Sequence, residues 1–152
     1  MRTIKIISGG QAGVDRAAWD AAIELGIDWG GWVPKGRLAE DGPIPARYDR
    51  CRELDVASFA KRTHANVMEG HATLIVSNSG RLTGGTLLTY EYAFHHRIVE
   101  VATGHPVNLL RDWLEALPVR GEVLRLNVAG PRASKWPEGY ESTKRLLLDV
   151  LR

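Results

Sequence analysis

A short apolar run, Ile4-Lys5-Ile6-Ile7, meets a glycine-bearing segment, Ser8-Gly9-Gly10-Gln11-Ala12-Gly13. That segment leads straight into apolar positions at Val14, Ala17, Ala18, Ala21, Ala22 and Leu25. The positions recur at helical spacing, so the pattern reads as strand, tight turn, and helix packed on a sheet. Glycine lets the backbone turn sharply and lets a ligand approach the amides. The first amides of a helix lack internal partners and carry partial positive charge. Such a junction is either an anion site, usually for phosphate or pyrophosphate, or a tight turn that holds no ligand. Asp15 in the first turn suits the helix dipole but repels a phosphate placed too close. It reads as a partner for a ribose hydroxyl or an amide, or as a cap. Arg16 beside it supplies positive charge to a ligand or takes part in an exposed ion pair.

The same junction recurs. Ala72-Thr73-Leu74-Ile75-Val76-Ser77 is a continuous apolar strand of the kind buried in parallel sheets. It runs into Asn78-Ser79-Gly80-Arg81-Leu82-Thr83-Gly84-Gly85-Thr86, which opens a helix reaching His96. Thr83 and Thr86 bring hydroxyls, and the Gly84 and Gly85 amides lie at the helix start. A third polar turn follows the strand Val123 to Val128, through Asn127-Val128-Ala129-Gly130-Pro131-Arg132-Ala133-Ser134-Lys135. In a parallel sheet such turns all open at the carboxyl edge, where ligands bind. Arg132, Ser134 and Lys135 either reach that edge or form a solvated turn. Glu91 lies between Leu87 and Phe94 at helical spacing, which places it on an apolar stripe. There it either faces the glycine loops or is partly buried and paired.

Between these junctions, Trp29 to Val33 reads as a second strand ending at Pro34, after a helix stop at Gly26. The stretch from Pro34 to Asp55 reads as one long irregular loop carrying Lys35, Arg37 and Arg47. Loops of that length are uncommon in compact domains unless they cover or bind something. Ser58 to Met68 is expected to be a helix capped by Ser58. Ile98 to Val101 is a fourth strand. Leu110, Trp113, Leu114 and Leu117 mark a helix ended by Pro118, and Tyr140, Thr143, Leu146, Leu147 and Val150 mark a closing helix. The expected architecture is α/β: a Rossmann-like three-layer sandwich with a mainly parallel sheet of about five strands and helices on both faces, in one domain spanning 1–152.

Composition narrows the function class. The 152 residues carry a formal charge of +2 with no basic run, so nucleic-acid binding is not implied. A lone cysteine, Cys51, excludes an internal disulfide framework and fits a reducing compartment. Met1 leads directly into strand residues and no apolar segment approaches membrane-spanning length, so a cytoplasmic location without a membrane anchor is expected. His95 and His96 are adjacent and diverge on a helix, and no Cys-His set exists, so no metal site is expected. Trp32, at a strand's carboxyl end, is placed to stack on a flat ring.

Taken together, Ser8-Gly9-Gly10-Gln11-Ala12-Gly13-Val14-Asp15, Gly31-Trp32-Val33-Pro34-Lys35-Gly36-Arg37 and Glu40-Asp41-Gly42-Pro43-Ile44-Pro45 resemble the molybdenum cofactor carrier family. The resemblance continues through Arg62-Thr63 with Asn66, Leu82-Thr83-Gly84-Gly85-Thr86 and Leu126-Asn127-Val128-Ala129-Gly130-Pro131-Arg132, and so covers nearly the whole chain in order. Ala12 stands where that family usually has threonine. The wider superfamily is Rossmann-like. It includes DNA-processing proteins and the Lonely Guy phosphoribohydrolases, which carry a Gly-Gly-x-Gly-Thr-x-x-Glu signature. Gly84, Gly85 and Glu91 match that signature, while Leu87 and Leu88 replace its later glycine and its threonine.

The resemblance implies a binding protein for a phosphate-bearing cofactor, the molybdenum cofactor, in storage or transfer. The phosphate is expected at the amides of Gly9, Gly10, Gly84, Gly85 and Thr86, helped by Lys35, Arg37 or Arg132. The pterin edge suits Asp15, Gln11 and Asn127. Ser8, Gly13, Thr83 and Ser134 complete the candidate site. No residue is expected to bind molybdenum directly. The same resemblance implies self-association and a recipient molybdoenzyme. The alternatives are a nucleoside-monophosphate N-glycosidase using Glu91 as its catalytic residue, and a nucleotide or ADP-ribose sensor.

Overall fold

The structure is a computed structural model that describes residues 2–152. β1 (Ile4–Ile7) lies in the middle of a wholly parallel sheet, and Ile4, Ile6 and Ile7 are buried in it. The chain then forms α1 (Val14–Leu25) and β2 (Asp28–Val33), which pairs with β1 through Ile6 and Trp29. Gly26 ends α1 in the left-handed conformation at φ 69°. Glycine tolerates that conformation without the Cβ clash.

The stretch after β2 is not the irregular loop expected. It folds into a small hairpin, β3 (Leu38–Ala39) with β4 (Gly42–Pro43), followed by β5 (Cys51–Glu53). β5 pairs in parallel with β2, Trp32 opposite Arg52, and gives the sheet six strands where about five were expected. Three residues with two charges carry too little periodicity to announce a strand. Short charged edges also resist pairing with other chains.

The stretch is anchored by its own side chains. Tyr48 is buried against Trp19, with ring centroids 5.2 Å apart, and Trp19 meets Trp29 at 5.3 Å. The Tyr48 hydroxyl donates to Asp20 at 2.8 Å, Arg47 pairs with the same carboxylate at 3.3 Å, and the Tyr140 hydroxyl also donates to it. Burial, followed by these contacts to Asp20, pushes the Tyr48 and Tyr140 hydroxyls well above the ordinary phenol range.

α2 (Phe59–Glu69), capped by Ser58, leads to β6 (Ala72–Val76). α3 (Gly84–His96), β7 (Ile98–Ala102), α4 (Val107–Ala116), β8 (Leu124–Ala129) and α5 (Gly139–Leu151) complete the chain. The strand order is β5-β2-β1-β8-β6-β7. Parallel crossovers are right-handed, so their direction of travel fixes the face each helix covers. The crossovers from β1 to β2 and from β7 to β8 run one way, which puts α1 and α4 on one face, where both helices pack with α5. Those into β6 and on to β7 run the other way and put α2 and α3 together on the opposite face. The result is the expected Rossmann-like three-layer sandwich. Travel reverses near β1, β8 and β6, and the carboxyl ends of these strands flank the crevice where such sheets bind ligands.

Candidate functional site

A cavity of about 300 Å³ opens at that crevice, between α2, the start of α3, and the turns that follow β1 and β8. That is the lower end of the usual size for a small-molecule pocket, about 300–1,000 Å³. Its floor comes from the first glycine junction. Gly9 has to be bare, because the Arg62 side chain crosses it: a Cβ there would lie 2.6 Å from Arg62 Cδ and 3.1 Å from Asp15 Oδ2. Asp15 and Arg62 are each about nine-tenths buried. The Gln11 amide donates to Asp15 Oδ2 at 3.3 Å, and Arg62 donates to the Gly9 carbonyl at 3.3 Å. Burial pushes the Asp15 carboxyl up to about 6; the nearby Arg62 charge, the Gln11 and Gly9 amides and Arg16 hold it from going higher. Burial likewise lowers Arg62, and Asp15 opposes that shift. The two charges do not close to an ion pair within 4 Å. Both therefore retain capacity toward the cavity.

The opposite wall is the start of α3. Thr83 takes the cap position without a side-chain hydrogen bond, and the first helical bond runs from the Leu87 amide to the Thr83 carbonyl. The amides of Gly84, Gly85 and Thr86 thus have no partner inside the helix. Lys135 sits over this terminus: a Cβ on Gly84 would lie 2.8 Å from its Nζ. Among the described residues, no carboxylate lies within ion-pair distance of Lys135. An ammonium beside the positive end of a helix dipole is a repulsive arrangement that a bound anion relieves. A smaller cavity of about 80 Å³, reaching Ser77, Asn78 and Arg81, adjoins the main one along Thr83, Thr86 and Lys135.

The structure brings together nine of the candidate residues around the main cavity: Gly9, Gln11 and Asp15 on the floor, Thr83, Gly84, Gly85 and Thr86 at α3, and Asn127 with Arg132 from β8 and its turn. Asn127 donates to Thr73 at 3.2 Å, which orients its amide. Six other candidates do not line this cavity. Ser8 is fully buried, and its hydroxyl donates to the Val128 carbonyl at 2.7 Å. Gly10 packs under Ile44 and Trp19, and Gly13, at φ 109°, packs against the backbone of Pro131 and Ala133. Arg37 is consumed by its own loop, donating to the carbonyls of Pro45 and Tyr48 at 2.9 Å each. Lys35 is exposed and not part of the cavity lining. Ser134 is spent on Glu40, donating from its hydroxyl at 2.5 Å and its amide at 3.0 Å. Burial alone would raise the Glu40 carboxyl; these Ser134 contacts and Arg132 bring it below the ordinary range.

Glu91 also departs from expectation. It is exposed and not part of the cavity lining, and its helical neighbours Leu87 and Phe94 are 37% and 63% exposed. The buried face of α3 is instead Thr86, Thr89 and Ala93, because small side chains let α3 lie close to its neighbours. Trp32 does not line the cavity either: its indole donates to Glu69 at 3.2 Å, and Arg52 lies over its ring.

α2 also lines the cavity, with residues outside the candidate set read from the sequence. Phe59, Arg62, Thr63 and Asn66 follow one another at i, i+3, i+4 and i+7 and present one face of the helix to the cavity. That spacing was available in the sequence, but a helix face gives no sign of which strand end it overhangs. Asn66 is already committed, since its amide group bonds both the amide and the carbonyl of Trp32.

The fold is a Rossmann-like domain whose cleft sets a lysine and the uncapped start of α3 opposite a buried carboxylate. The chain matches the circularly permutated YpsA SLOG family over residues 6–151, and it belongs to that family. Among solved structures it is similar to the putative molybdenum carrier protein of Syntrophus aciditrophicus SB. The two share 41% identity and a TM-score of 0.88, over 99% of this chain and 96% of that one. No curated protein matches the chain. Among the described residues, no group of three or more His, Cys, Asp or Glu side chains is placed to hold a metal ion. No helix among the described residues is long and apolar enough to cross a membrane.

Proposed function

We propose that the protein binds the molybdenum cofactor as cargo, for storage or transfer. The observation that carries this reading is Lys135 over the uncapped start of α3, a cationic cradle without an anion of its own. The cofactor's phosphate takes the Gly84, Gly85 and Thr86 amides together with Lys135, and Arg132 reaches the same cavity. Its flat pterin lies toward Asp15, Gln11 and Asn127. The metal stays on the cofactor's own dithiolene. The relative described as a molybdenum carrier supports the same assignment. A recipient molybdoenzyme and self-association belong to this reading, and light scattering of the purified protein checks the second. No observation favours N-glycosidase chemistry at Glu91, which is exposed and outside the cavity lining.

The test is native mass spectrometry of the protein mixed with molybdenum cofactor, alongside Gly84→Val. A one-to-one adduct in the wild type and none in the folded variant is the expected result. Equal adducts in both would refute the cradle.

A further inference from the structure

The cavity floor places a carboxylate and a guanidinium side by side, both about nine-tenths buried and neither closed into an ion pair with the other. An ionised carboxylate only accepts hydrogen bonds and a guanidinium only donates them. The Gln11 amide fixes Asp15 Oδ2 and the Gly9 carbonyl takes one Arg62 donor. A carboxylate has acceptor capacity beyond the Gln11 and Gly9 amides, and most of the guanidinium donors remain for a ligand. We infer that Asp15 and Arg62 make this floor selective for a 2-amino-4-oxopyrimidine edge, the edge shared by pterins and guanine. The inference rests on the cofactor-binding reading above and sharpens it to one hydrogen-bonding pattern.

The chemistry is directional. A 2-amino-4-oxopyrimidine presents a ring N–H and an exocyclic amine next to each other, which a carboxylate accepts together. Its carbonyl lies beside them and accepts from a guanidinium, as guanine O6 does from arginine. Adenine presents an amine next to a bare ring nitrogen. Against Asp15 that nitrogen sets lone pair against lone pair, and Arg62 finds no carbonyl. A buried site built for one pattern rejects the other strongly, because rejection leaves buried polar groups unpaired. Guanine nucleotides are therefore expected to occupy the same cleft as a pterin, with their phosphate at Gly84, Gly85 and Lys135.

The test uses isothermal titration of the intact protein with guanosine, inosine and adenosine monophosphates, repeated on Asp15→Asn. Guanosine monophosphate should bind at least about tenfold tighter than adenosine monophosphate, with inosine monophosphate between them for want of the 2-amino group. In Asp15→Asn the order should collapse, because an amide donates where the carboxylate accepted. Arg62→Lys supplies a second variant, which keeps the charge and should lose the guanine preference in part. Equal affinity for all three nucleotides in the wild type would overturn the inference and leave the cofactor reading standing. So would an unchanged order in a folded Asp15→Asn. If no nucleotide binds, the inference falls too. Titration with molybdenum cofactor itself then shows whether the reading beneath it has fallen as well.

Discussion

The two glycine junctions look alike in sequence and have opposite fates in the fold. At the first, between β1 and α1, the chain fills its own turn. Ile44 and Trp19 close over Gly10, Pro131 and Ala133 press on Gly13, and Asp15 takes the Gln11 amide at 3.3 Å. Asp15 thus supplies the loop with an internal anion. At the second, between β6 and α3, a Cβ on Gly85 would have open space around it, and one on Gly84 would meet only the tip of Lys135. The lesson is electrostatic. A strand–glycine–helix turn that already holds a carboxylate is a poor phosphate site, and one that instead gathers a cation beside open amides is a good one. Under the proposed function, phosphate therefore belongs to the second junction rather than to both.

The largest effect that tests this contrast is on folding. Gly13 has φ 109°, and a Cβ there would lie 2.8 Å from the Ala133 amide nitrogen. It also pairs with Arg132 in an isolated bridge that ties the turn after β1 to the turn after β8. Gly13→Val should cost on the order of 4 kcal/mol, read as a lowered denaturation midpoint. Gly84, at φ 55°, shares the left-handed backbone strain but has only a flexible lysine tip beside it, so Gly84→Val should cost less stability than Gly13→Val and act on ligand binding as well. Similar losses of stability in both variants would erase the distinction between a filled and an open junction.

The next effect separates the internal anion from an external one. The Asp15 carboxyl rises from 3.8 when unfolded to about 6 when folded. Below the lower value both states are protonated and burial carries no charge penalty. Between the two values the unfolded chain ionises first, so the native state loses stability as pH rises, on the order of 3 kcal/mol by pH 7. Arg62 from α2 and Arg16 from α1 moderate this penalty. Asp15→Asn should remove the pH dependence. Denaturant unfolding at pH 3.5 and at pH 8 should show the variant gaining on the wild type at the higher value. A gain at the lower value instead would reverse the assignment of the shift to burial.

Much of the frame was legible in the sequence, and the reasons are local. The apolar runs at Ile4–Ile7, broken only by Lys5, and at Ala72–Val76 are short, β-branched and followed by glycine turns, as buried strands are, and three polar turns after strands mark one sheet edge. β5 was hidden because Cys51-Arg52-Glu53 has no alternation, and pairing with β2 alone makes it a strand. Arg37 looked like a ligand cation because charge is visible in a sequence, whereas the carbonyls that absorb it are not. Arg62 stands in a motif that carries the resemblance, but its place in the site is hidden for the converse reason: it comes from crossing Gly9, a contact between residues 53 apart in the chain. Glu91 was misplaced because an apolar stripe was taken to face inward. α3 instead turns Thr86, Thr89 and Ala93 inward and leaves Leu87 and Phe94 exposed.

A smaller effect belongs to the open junction. Lys135→Ala should weaken molybdenum cofactor binding about tenfold, as expected for one charge-assisted contact, with the denaturation midpoint unchanged because no carboxylate pairs with Lys135. A midpoint that fell with the affinity would mean the lysine holds the turn rather than the ligand.

The smallest expected effect is the most pointed. Glu91 shares with Gly84 and Gly85 a spacing that elsewhere accompanies phosphoribohydrolase chemistry, yet it is exposed while those glycines line the cavity. An exposed carboxylate outside the cavity has no path to a bound ribose unless α3 rotates, and α3 is held by Thr86, Thr89 and Ala93 against its neighbours. Glu91→Gln should therefore leave both cofactor affinity and stability within measurement error, a surface change worth less than about 0.5 kcal/mol. A clear loss of affinity would put Glu91 at the ligand and require a different pose of α3. That would break the contrast from its other side, by making the second junction a composite of amides and an acid like the first.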